Sequence, residues 1–241
     1  MSANAKRCST LLLRLSYLRK PYATSYFLES DLPSRDPLTL FDNWFETAQA
    51  QTEMSYEEVN AVALSTVSKS GQPTCRMLLL KTYGSDGFQF FTNYNSRKGR
   101  ELADNPNACM LACWPKLHRQ IRIEGTVSKL PPQYAEDYWK KRPVQSQASA
   151  AVSPQSSVVP SREHLTECVK EITAANANNQ HIPRPDHWGG YILKPELYEF
   201  WQGQSDRLHD RIQFRRLADD EKVGGNVHAG ENGWVYERLA P

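Results

Sequence analysis

Short β-type segments, each closed by turn residues, follow one another from residue 61 to residue 129 and limit the folds open to this chain. A strand over 61–68 precedes the turn Ser70–Pro73, and a strand over 74–82 precedes the turn Gly84–Gly87. An Asp-Gly pair between apolar runs is a strong hairpin signal. The same pattern predicts further strands over residues 88–92, 108–114, 120–129, 191–193, 196–201, 211–215 and 234–238.

Helical segments are inserted between these strands. Apolar residues recur at helical spacing from Pro37 to about Gln51, and Ser96 is suited to cap a helix that ends before Pro106. Residues 131–142 and 161–178 are also predicted as helices, with a Ser/Gln/Ala-rich connection between them and a polar, Gly-rich loop over 218–232. The fold expected is mainly β with inserted helices, a barrel-like core, after a flexible basic tail over 1–35. Residues 36–241 then form one domain.

Charge and apolar patterning exclude several classes of protein. With 29 basic and 27 acidic side chains, the net charge of +2 predicts no nucleic-acid-binding surface. No apolar run approaches the roughly 20 residues of a membrane span, since even Leu11–Leu13 is ended by Arg14.

The five cysteines contain no CxxC pair, so neither a zinc site nor any other metal site is expected. Cys109 and Cys113 lie about 13 Å apart on one strand, too far for a disulfide. Reduced thiols favour a cytoplasmic location. Residues 1–28 carry five basic side chains and no acidic one, so a mitochondrial transit peptide is the alternative to a disordered basic tail.

Two cations stand in an apolar strand, Arg76-Met77-Leu78-Leu79-Leu80-Lys81. A strand that is apolar on both faces is usually buried on both. Burying Arg76 or Lys81 without a partner would cost several kcal/mol for each charge. Each therefore requires a carboxylate, solvent at a strand end, or a bound anion.

Two further groups of residues are suited to phosphate. Ser96-Arg97-Lys98-Gly99 combines backbone N–H groups at a helix start with two cations. Tyr138 and Arg142, four residues apart, share a helix face and, with the hydroxyl of Ser146, offer a second phosphate site. Either group is also compatible with an ordinary solvated surface.

The run Arg207-Leu208-His209-Asp210-Arg211 is the least ordinary segment. If it is extended, Arg207, His209 and Arg211 share a face and repel one another unless an anion or internal salt bridges compensate. Trp201 nearby offers a flat surface for an aromatic ligand, and Gln120 offers an amide to a heterocycle edge. The sequence contains no nucleotide-binding glycine loop and no hydrolase motif. Two phosphate-suited sites beside aromatic side chains favour a phosphorylated cofactor together with a phosphorylated substrate. Any redox chemistry would then belong to the cofactor.

These motifs, in this order, resemble the pyridoxine 5′-phosphate oxidase (pyridoxamine-phosphate oxidase) family over residues 19–241. The motifs that carry the resemblance are Arg76–Lys81, Phe91–Lys98, Arg119-Gln120, Arg142-Pro143, Ser146-Gln147, Gln155–Ser157, Trp188–Gly190, Glu199–Arg211 and Arg238–Pro241.

The resemblance implies an FMN-binding split β-barrel, a homodimer with FMN at the subunit interface, and defined ligand sets. The FMN ligands implied are Arg76, Met77, Leu78, Leu79, Leu80, Lys81, Phe91, Thr92, Arg97, Lys98, Gln120, Gln155, Ser156, Trp201 and Arg211. The substrate ligands implied are Lys81, Tyr138, Arg142, Ser146, Arg207, Leu208 and His209, of which Arg207 and His209 are the catalytic candidates. Arg19, Lys20, Pro21 and Tyr22 are implied to approach the substrate.

The implied activity is oxidation of pyridoxine or pyridoxamine 5′-phosphate to pyridoxal 5′-phosphate with O₂, by hydride transfer from C4′ to the flavin, with release of H₂O₂ and, from the amine, ammonia. His209 would orient the substrate or move a proton. The rival hypotheses are a split-barrel flavin reductase, which needs no second phosphate site, and a non-catalytic pyridoxal phosphate carrier, which needs no flavin.

Overall fold

The computed structural model describes residues 21–22, 24–52, 58–178 and 181–241. Within them, five α-helices are present: α1 Pro37–Thr52, α2 Arg97–Asp104, α3 Pro132–Lys141, α4 Val144–Val152 and α5 Arg162–Ala175. The strands are β1 Ala61–Val67, β2 Pro73–Leu79, β3 Thr82–Gly84, β4 Gly87–Asn93, β5 Asn107–Trp114, β6 Arg119–Lys129, β7 Trp188–Gln202, β8 Asp210–Arg216, β9 His228–Ala229 and β10 Trp234–Arg238. Two short 3₁₀ helices cover Glu29–Asp31 and Pro115–Leu117.

The strands form one antiparallel sheet in the order β2-β1-β5-β6-β7-β8-β10-β9, with β4 paired to the first half of β7 and β3 paired to β4. Buried and half-buried residues alternate along β1 and, within β6, from Gln120 to Val127, as expected of strands with one face on a core. The mainly β architecture with inserted helices is confirmed.

The core lies between the inner sheet face and α1. Phe41 of this helix meets Phe88 edge-on at 5.0 Å, and Trp44 meets Phe200 edge-on at 5.3 Å. Burying such rings contributes roughly 1.5–3 kcal/mol each. The apolar stripe predicted from the sequence therefore fixes α1 over the barrel.

The two strands predicted over 191–193 and 196–201 are one strand, β7, of 15 residues. Pro195 cannot donate to a ladder, and the register with β6 shifts beside Gly125. A Cβ at Gly125 would lie 2.0 Å from the carbonyl oxygen of Lys194, so this close approach requires glycine. The chain accommodates proline by a bulge and does not end the strand.

Three further expectations are corrected. The Ser/Gln/Ala-rich connection contains α4, and the loop 218–232 contains β9. β2 is an edge strand rather than one buried on both faces, and the Met77 side chain is 64% exposed. Because β2 ends at Leu79, Lys81 lies beyond the strand in which the sequence places it.

Part of the predicted tail contacts the barrel. Phe27 is buried against Trp44, and Glu29 forms an ion pair with Arg238 at 2.8 Å. Arg19 and Lys20 lie outside the described residues, and the boundary at residue 35 remains a prediction. None of the described helices combines the length and hydropathy that crossing a bilayer requires.

Candidate functional site

Three cations, Arg76, Arg97 and Lys98, lie where the start of α2 meets β2 and β4. Together with Thr92 and Gln155, they are called the phosphate cluster. Ser96 caps α2 by accepting from the backbone N–H of Gly99 at 3.2 Å, as predicted. The Lys98 ammonium donates to the Thr92 hydroxyl at 3.0 Å and to Oε1 of Gln155 at 2.9 Å. Burial, with a smaller effect from Arg76, lowers the pKa of Lys98 to about 8.

The arginines of this cluster face a buried carboxylate. Nε of Arg97 donates to Glu101 at 2.9 Å, and Nη2 of Arg76 lies 3.4 Å from the other Glu101 oxygen. Of the alternatives that the sequence left open for Arg76, an internal carboxylate is therefore present. Three cations against one carboxylate still leave this cluster positive.

Next to the phosphate cluster is a stack of three aromatic rings, called the aromatic shelf: Phe91, Tyr138 and Trp188. The rings of Phe91 and Tyr138 are stacked at 4.4 Å, and those of Phe91 and Trp188 at 5.6 Å. The ammonium of Lys81 lies 5.8 Å from the Tyr138 ring centroid. Phe91, Tyr138 and Lys81, separated widely in sequence, are thus brought together.

Arg142 follows α3 and covers one side of this shelf. Its guanidinium lies 5.0 Å from the Trp188 ring centroid, and its Nη2 donates to the backbone carbonyl of Ser146 at 3.0 Å. None of the described residues offers a hydrogen-bond acceptor to its buried Nε. A buried donor without a partner costs about 1–3 kcal/mol, so this N–H is available to a ligand.

A cavity of about 210 Å³ joins the aromatic shelf to the phosphate cluster. It is lined by Phe91, Thr92, Asn93, Arg142, Ala150, Ser153, Gln155 and Trp188. Its walls thus combine cationic N–H donors, hydroxyls and flat rings. That donor set fits a phosphorylated heterocycle.

Three other predicted FMN ligands form a separate group, called the Trp201 patch: Gln120, Trp201 and Arg211. Neighbouring strands place them in one row, because Trp201 pairs with Gln120 on β6 and with Arg211 on β8. Nε of Arg211 donates to Glu199 at 2.7 Å, and its Nη1 donates to the carbonyl of Ala240 at 2.7 Å. The ion pair with Glu199 raises the pKa of Arg211.

The segment before β8 is a turn and not an extended strand. Arg207 is exposed, with φ of +74°, and Leu208 is 67% exposed. The condition for Arg207, His209 and Arg211 to share a strand face is therefore not met. Nδ1 of His209 accepts from the backbone N–H of Gln204 at 2.9 Å, which leaves Nε2 to carry the proton of the neutral ring.

Tyr22 lies over this turn. Its backbone N–H donates to the Ser205 hydroxyl at 2.8 Å, and its ring centroid is 4.4 Å from that of His118 and 6.0 Å from that of His209. Of the four N-terminal residues implied to approach the substrate, Pro21 and Tyr22 are described. Tyr22 joins His209 and Trp201 in one aromatic group.

The remaining predicted ligands lie close to these groups. Met77, Leu78 and Leu79 follow Arg76 along β2, and Leu80 is buried just after it. Ser156 follows Gln155 with φ of +71°, and Ser146 lies in the first turn of α4.

The phosphate cluster and the Trp201 patch are at opposite ends of β7. Thr92 pairs with Gly189 near its start, and Gln120 pairs with Trp201 near its end. At roughly 3.3 Å per residue, the path along β7 between Gly189 and Trp201 is about 40 Å. The predicted FMN ligands therefore form two separate groups along β7, the phosphate cluster and the Trp201 patch, which are called the two half-sites.

Three contributing residues were not predicted. Trp188 and Glu199 stand in the sequence only within motifs of the resemblance, and Glu101 has no predicted role. The i, i+4 spacing of Arg97 and Glu101 was a usable signal. The contacts of Glu101 with Arg76 and of Glu199 with Arg211 depend on tertiary pairing that the sequence does not display.

Comparison with known proteins decides the family. Residues 48–174 match the family described as pyridoxamine 5′-phosphate oxidase, and residues 188–241 match the pyridoxine 5′-phosphate oxidase C-terminal dimerisation region. The chain belongs to the pyridoxamine 5′-phosphate oxidase family. The dimerisation region of this family includes β7, β8 and β10, and hence Trp201 and Arg211.

Individual members of the oxidase family are similar over nearly the whole chain. Pyridoxine-5′-phosphate oxidase of Bos taurus is 50% identical over 231 residues, covering 95% of this chain and 86% of its own. The pyridoxine/pyridoxamine 5′-phosphate oxidase of Salinibacter ruber is 42% identical, covering 95% of this chain and 99% of its own.

Among solved structures, PhzG from Burkholderia lata in complex with tetrahydrophenazine-1-carboxylic acid superposes with a TM-score of 0.77 at 31% identity, covering 90% of this chain and 98% of its own. A pyridoxamine 5′-phosphate oxidase-related, FMN-binding protein from Nostoc punctiforme gives a TM-score of 0.60 at 15% identity, with 83% and 97% covered. The second likeness shows the fold alone.

Proposed function

We propose that the chain is an FMN-dependent oxidase that converts pyridoxine or pyridoxamine 5′-phosphate to pyridoxal 5′-phosphate with O₂, releasing H₂O₂ and, from the amine, ammonia. One observation carries the proposal. Thr92 and Gln155 of the phosphate cluster and Arg142, whose Nε–H has no partner among the described residues, line one aromatic-walled cavity. Two cationic sites beside flat rings suit two phosphorylated heterocycles, a cofactor and a substrate.

The phosphate of FMN would be held by Arg76, Arg97 and Lys98, with Thr92, Gln155 and Ser156 beside it. The backbone and side chains of Met77–Lys81, with Phe91, would line its further course. When bound, the flavin supplies the electron-accepting chemistry by taking a hydride from C4′ of the substrate and passing electrons to O₂. The protein's part is to bind, orient and shield the two rings.

The substrate phosphate would be held by Arg142, with Tyr138, Ser146 and Lys81 around it. Arg207 and His209 would close over the pyridine ring from the turn before β8. Because Nδ1 of His209 is occupied by the backbone of Gln204, its Nε2 is the atom that would contact the substrate or move a proton.

A homodimer would complete the site. The two half-sites lie at opposite ends of β7, and a two-fold axis can bring the start of one β7 close to the end of its partner's. The edge strand β2 carries the exposed Met77 beside the phosphate cluster, in keeping with a second subunit covering it. Gln120, Trp201 and Arg211 would then reach FMN from the partner.

A spectrum of the purified protein tests the proposal. We expect a yellow protein with about one FMN per chain, whose flavin absorbance bleaches with pyridoxine 5′-phosphate without air and returns with air as H₂O₂ forms. A colourless protein that binds pyridoxal phosphate but no FMN would support a carrier. Oxidation of NADH without turnover of pyridoxine 5′-phosphate would support a flavin reductase.

The Arg207→Ala variant separates substrate from cofactor contacts. Because Arg207 lies on an exposed turn away from the phosphate cluster, we expect KM for pyridoxine 5′-phosphate to rise while FMN content stays unchanged. An equal loss of FMN would place Arg207 on the cofactor and contradict its assignment to the substrate.

A cytoplasmic location is proposed for the protein. None of the four described cysteines forms a disulfide, as expected in a reducing compartment. A fluorescent fusion of the full chain, compared with one lacking residues 1–28, tests this. Mitochondrial fluorescence that requires those residues would favour a transit peptide.

A further inference from the structure

Glu101 is a buried carboxylate at the centre of the phosphate cluster. It is 5% exposed, and α2 directs it onto β1 and β2. Oε1 accepts from Nε of Arg97 at 2.9 Å, while Oε2 accepts from the hydroxyls of Thr66 at 2.5 Å and Thr74 at 2.6 Å. Its two oxygens therefore serve two different groups of partners.

The threonines connect this carboxylate to Arg76. Nη1 of Arg76 donates to the Thr66 hydroxyl at 2.6 Å, and Nη2 donates to the Thr74 hydroxyl. A hydroxyl has one proton, and each of these is given to Glu101, so each oxygen can only accept from Arg76. The ionised carboxylate thus orients both hydroxyls so that their lone pairs face the guanidinium, which also donates to the carbonyl of Leu64 at 3.0 Å and lies 3.4 Å from Glu101 itself.

Glu101 stays ionised over the whole physiological range. Burial alone would raise its pKa, but hydrogen bonds from Thr66, Thr74 and Arg97 outweigh it and lower the pKa to about 2. With three cations and one carboxylate, the local charge is 3 − 1 = +2. A phosphate monoester carries about −1.5 to −2 at pH 7, so the cluster and such an anion nearly neutralise each other.

We propose that Glu101 is a positioning residue for the FMN phosphate: it holds Arg97 directly and Arg76 through Thr66 and Thr74, so that the two guanidinium groups are oriented before the cofactor binds. The inference rests on the placement of the FMN phosphate in this cluster under the proposed function. Pre-oriented donors bind more tightly because less ordering remains to be done on binding.

The Glu101→Gln variant tests this, because charge and position predict opposite results. Removing a negative charge beside three cations would, by charge alone, tighten FMN binding. A glutamine has one acceptor oxygen, so it cannot accept from Arg97 and from both threonines at once. We therefore expect the Kd of the apoprotein for FMN to rise about 10- to 100-fold, as for lost hydrogen bonds to charged groups.

Riboflavin, which lacks the phosphate, is the matched ligand. Quenching of flavin fluorescence gives the Kd for FMN and the Kd for riboflavin. We expect the Kd for riboflavin to change by less than about twofold, the size of effect that a substitution away from a contact usually has. A rise in both constants together would mean a general structural role and overturn the proposal. Unchanged or tighter FMN binding would overturn it as well.

Variants of Thr74 keep the test valid if Glu101→Gln folds poorly. Thr74→Val removes the hydroxyl at nearly constant shape, and Thr74→Ser retains it. We expect weaker FMN binding, by about 3- to 10-fold, only in the valine variant, since the bonds of the Thr74 hydroxyl to Glu101 and Arg76 are lost while those of Thr66 remain. Equal affinities in the two variants would contradict the connection through the threonines.

Two controls separate this inference from the proposed function. Glu167→Gln removes a carboxylate that pairs with Lys170 at 3.1 Å on α5, outside the phosphate cluster and the dimerisation region, and should leave FMN binding unchanged. Lys98→Met should weaken FMN but not riboflavin. If Lys98→Met does so and Glu101→Gln does not, the inference alone fails; if neither changes FMN binding, the placement of the phosphate fails with it.

Discussion

Lys98 is a half-buried ammonium whose protonation changes with pH within the working range. Its pKa is lowered to about 8, chiefly by burial, so the apoprotein carries this charge below pH 8 and loses it above. A phosphate monoester is a dianion above about pH 6. We expect FMN affinity to be greatest near pH 7 and to fall as the pH rises through 8, measured by fluorescence titration from pH 6 to 9.5.

The Lys98→Arg variant is the control for this pH dependence. Arginine remains protonated throughout that range, so its FMN affinity should be flat between pH 7 and 9.5. Riboflavin binding should not follow the pH in either protein. A decline of the same size in Lys98→Arg would assign the titration to another group.

Arg142 has a buried Nε–H for which no described residue offers an acceptor. We expect Arg142→Ala to reduce kcat/KM for pyridoxine 5′-phosphate by about 10- to 100-fold, the worth of a hydrogen bond to a charged group, without loss of FMN. Steady-state kinetics and flavin content measure the two effects. Arg142→Lys should recover little of the loss, because an ammonium does not reproduce the geometry of a guanidinium stacked on Trp188.

At the scale of elements, β7 determines where the aromatic shelf lies. Gly190 pairs with Phe91, and a Cβ at Gly190 would lie 2.8 Å from the Phe91 ring. We expect Gly190→Ala to destabilise the fold by about 1–3 kcal/mol, as overpacking does, and to weaken substrate binding because the shelf must move. Thermal unfolding and KM report these effects.

Gly84→Ala is the matched control for that substitution. Gly84 lies at the end of β3, has no positive φ, and has nothing within 4 Å of an added Cβ. Its stability should change by less than about 0.5 kcal/mol, as for a permissive surface site. A loss equal to that of Gly190→Ala would mean that the Phe91 contact is not the cause.

Local pattern predicted most elements, because alternation and turn residues act over a few positions. β1, β6 and α1 follow directly from their apolar spacing. The failures have physical causes: the local pattern predicts two strands, over 191–193 and 196–201, where β7 is continuous, because the bulge at Pro195 depends on Gly125 of the neighbouring strand. The role of Glu101 was missed because it faces Thr66 and Thr74, whose pairing on β1 and β2 is a tertiary fact.

At the scale of the whole molecule, the length of β7 decides how the site is assembled. Its start carries the partners of Phe91 and Thr92, and its end carries Trp201. In the proposed homodimer, a two-fold axis would place each end of one β7 against the opposite end of the other, so both sites would form at once from identical surfaces. Each FMN would then touch both subunits, and loss of the dimer would mean loss of FMN.

Mixed dimers test this shared site. In a dimer of one Lys98→Met chain and one Arg211→Met chain, one site would carry both changes and the other neither. Because random pairing makes half the dimers mixed, about a quarter of all sites should regain full FMN binding when the two defective variants are co-expressed. Differently tagged chains, purified through both tags, allow flavin content and oxidase activity to be measured on mixed dimers alone.

Pairing Lys98→Met with Arg76→Met is the control: both changes lie in the phosphate cluster, so every site has one defect and nothing is regained. No recovery in the first pair would mean that each site is built within a single chain, and the two ends of β7 would need another explanation. Recovery in the control would mean that Lys98 and Arg76 of one site come from different chains, which would contradict the phosphate cluster as a unit of one chain.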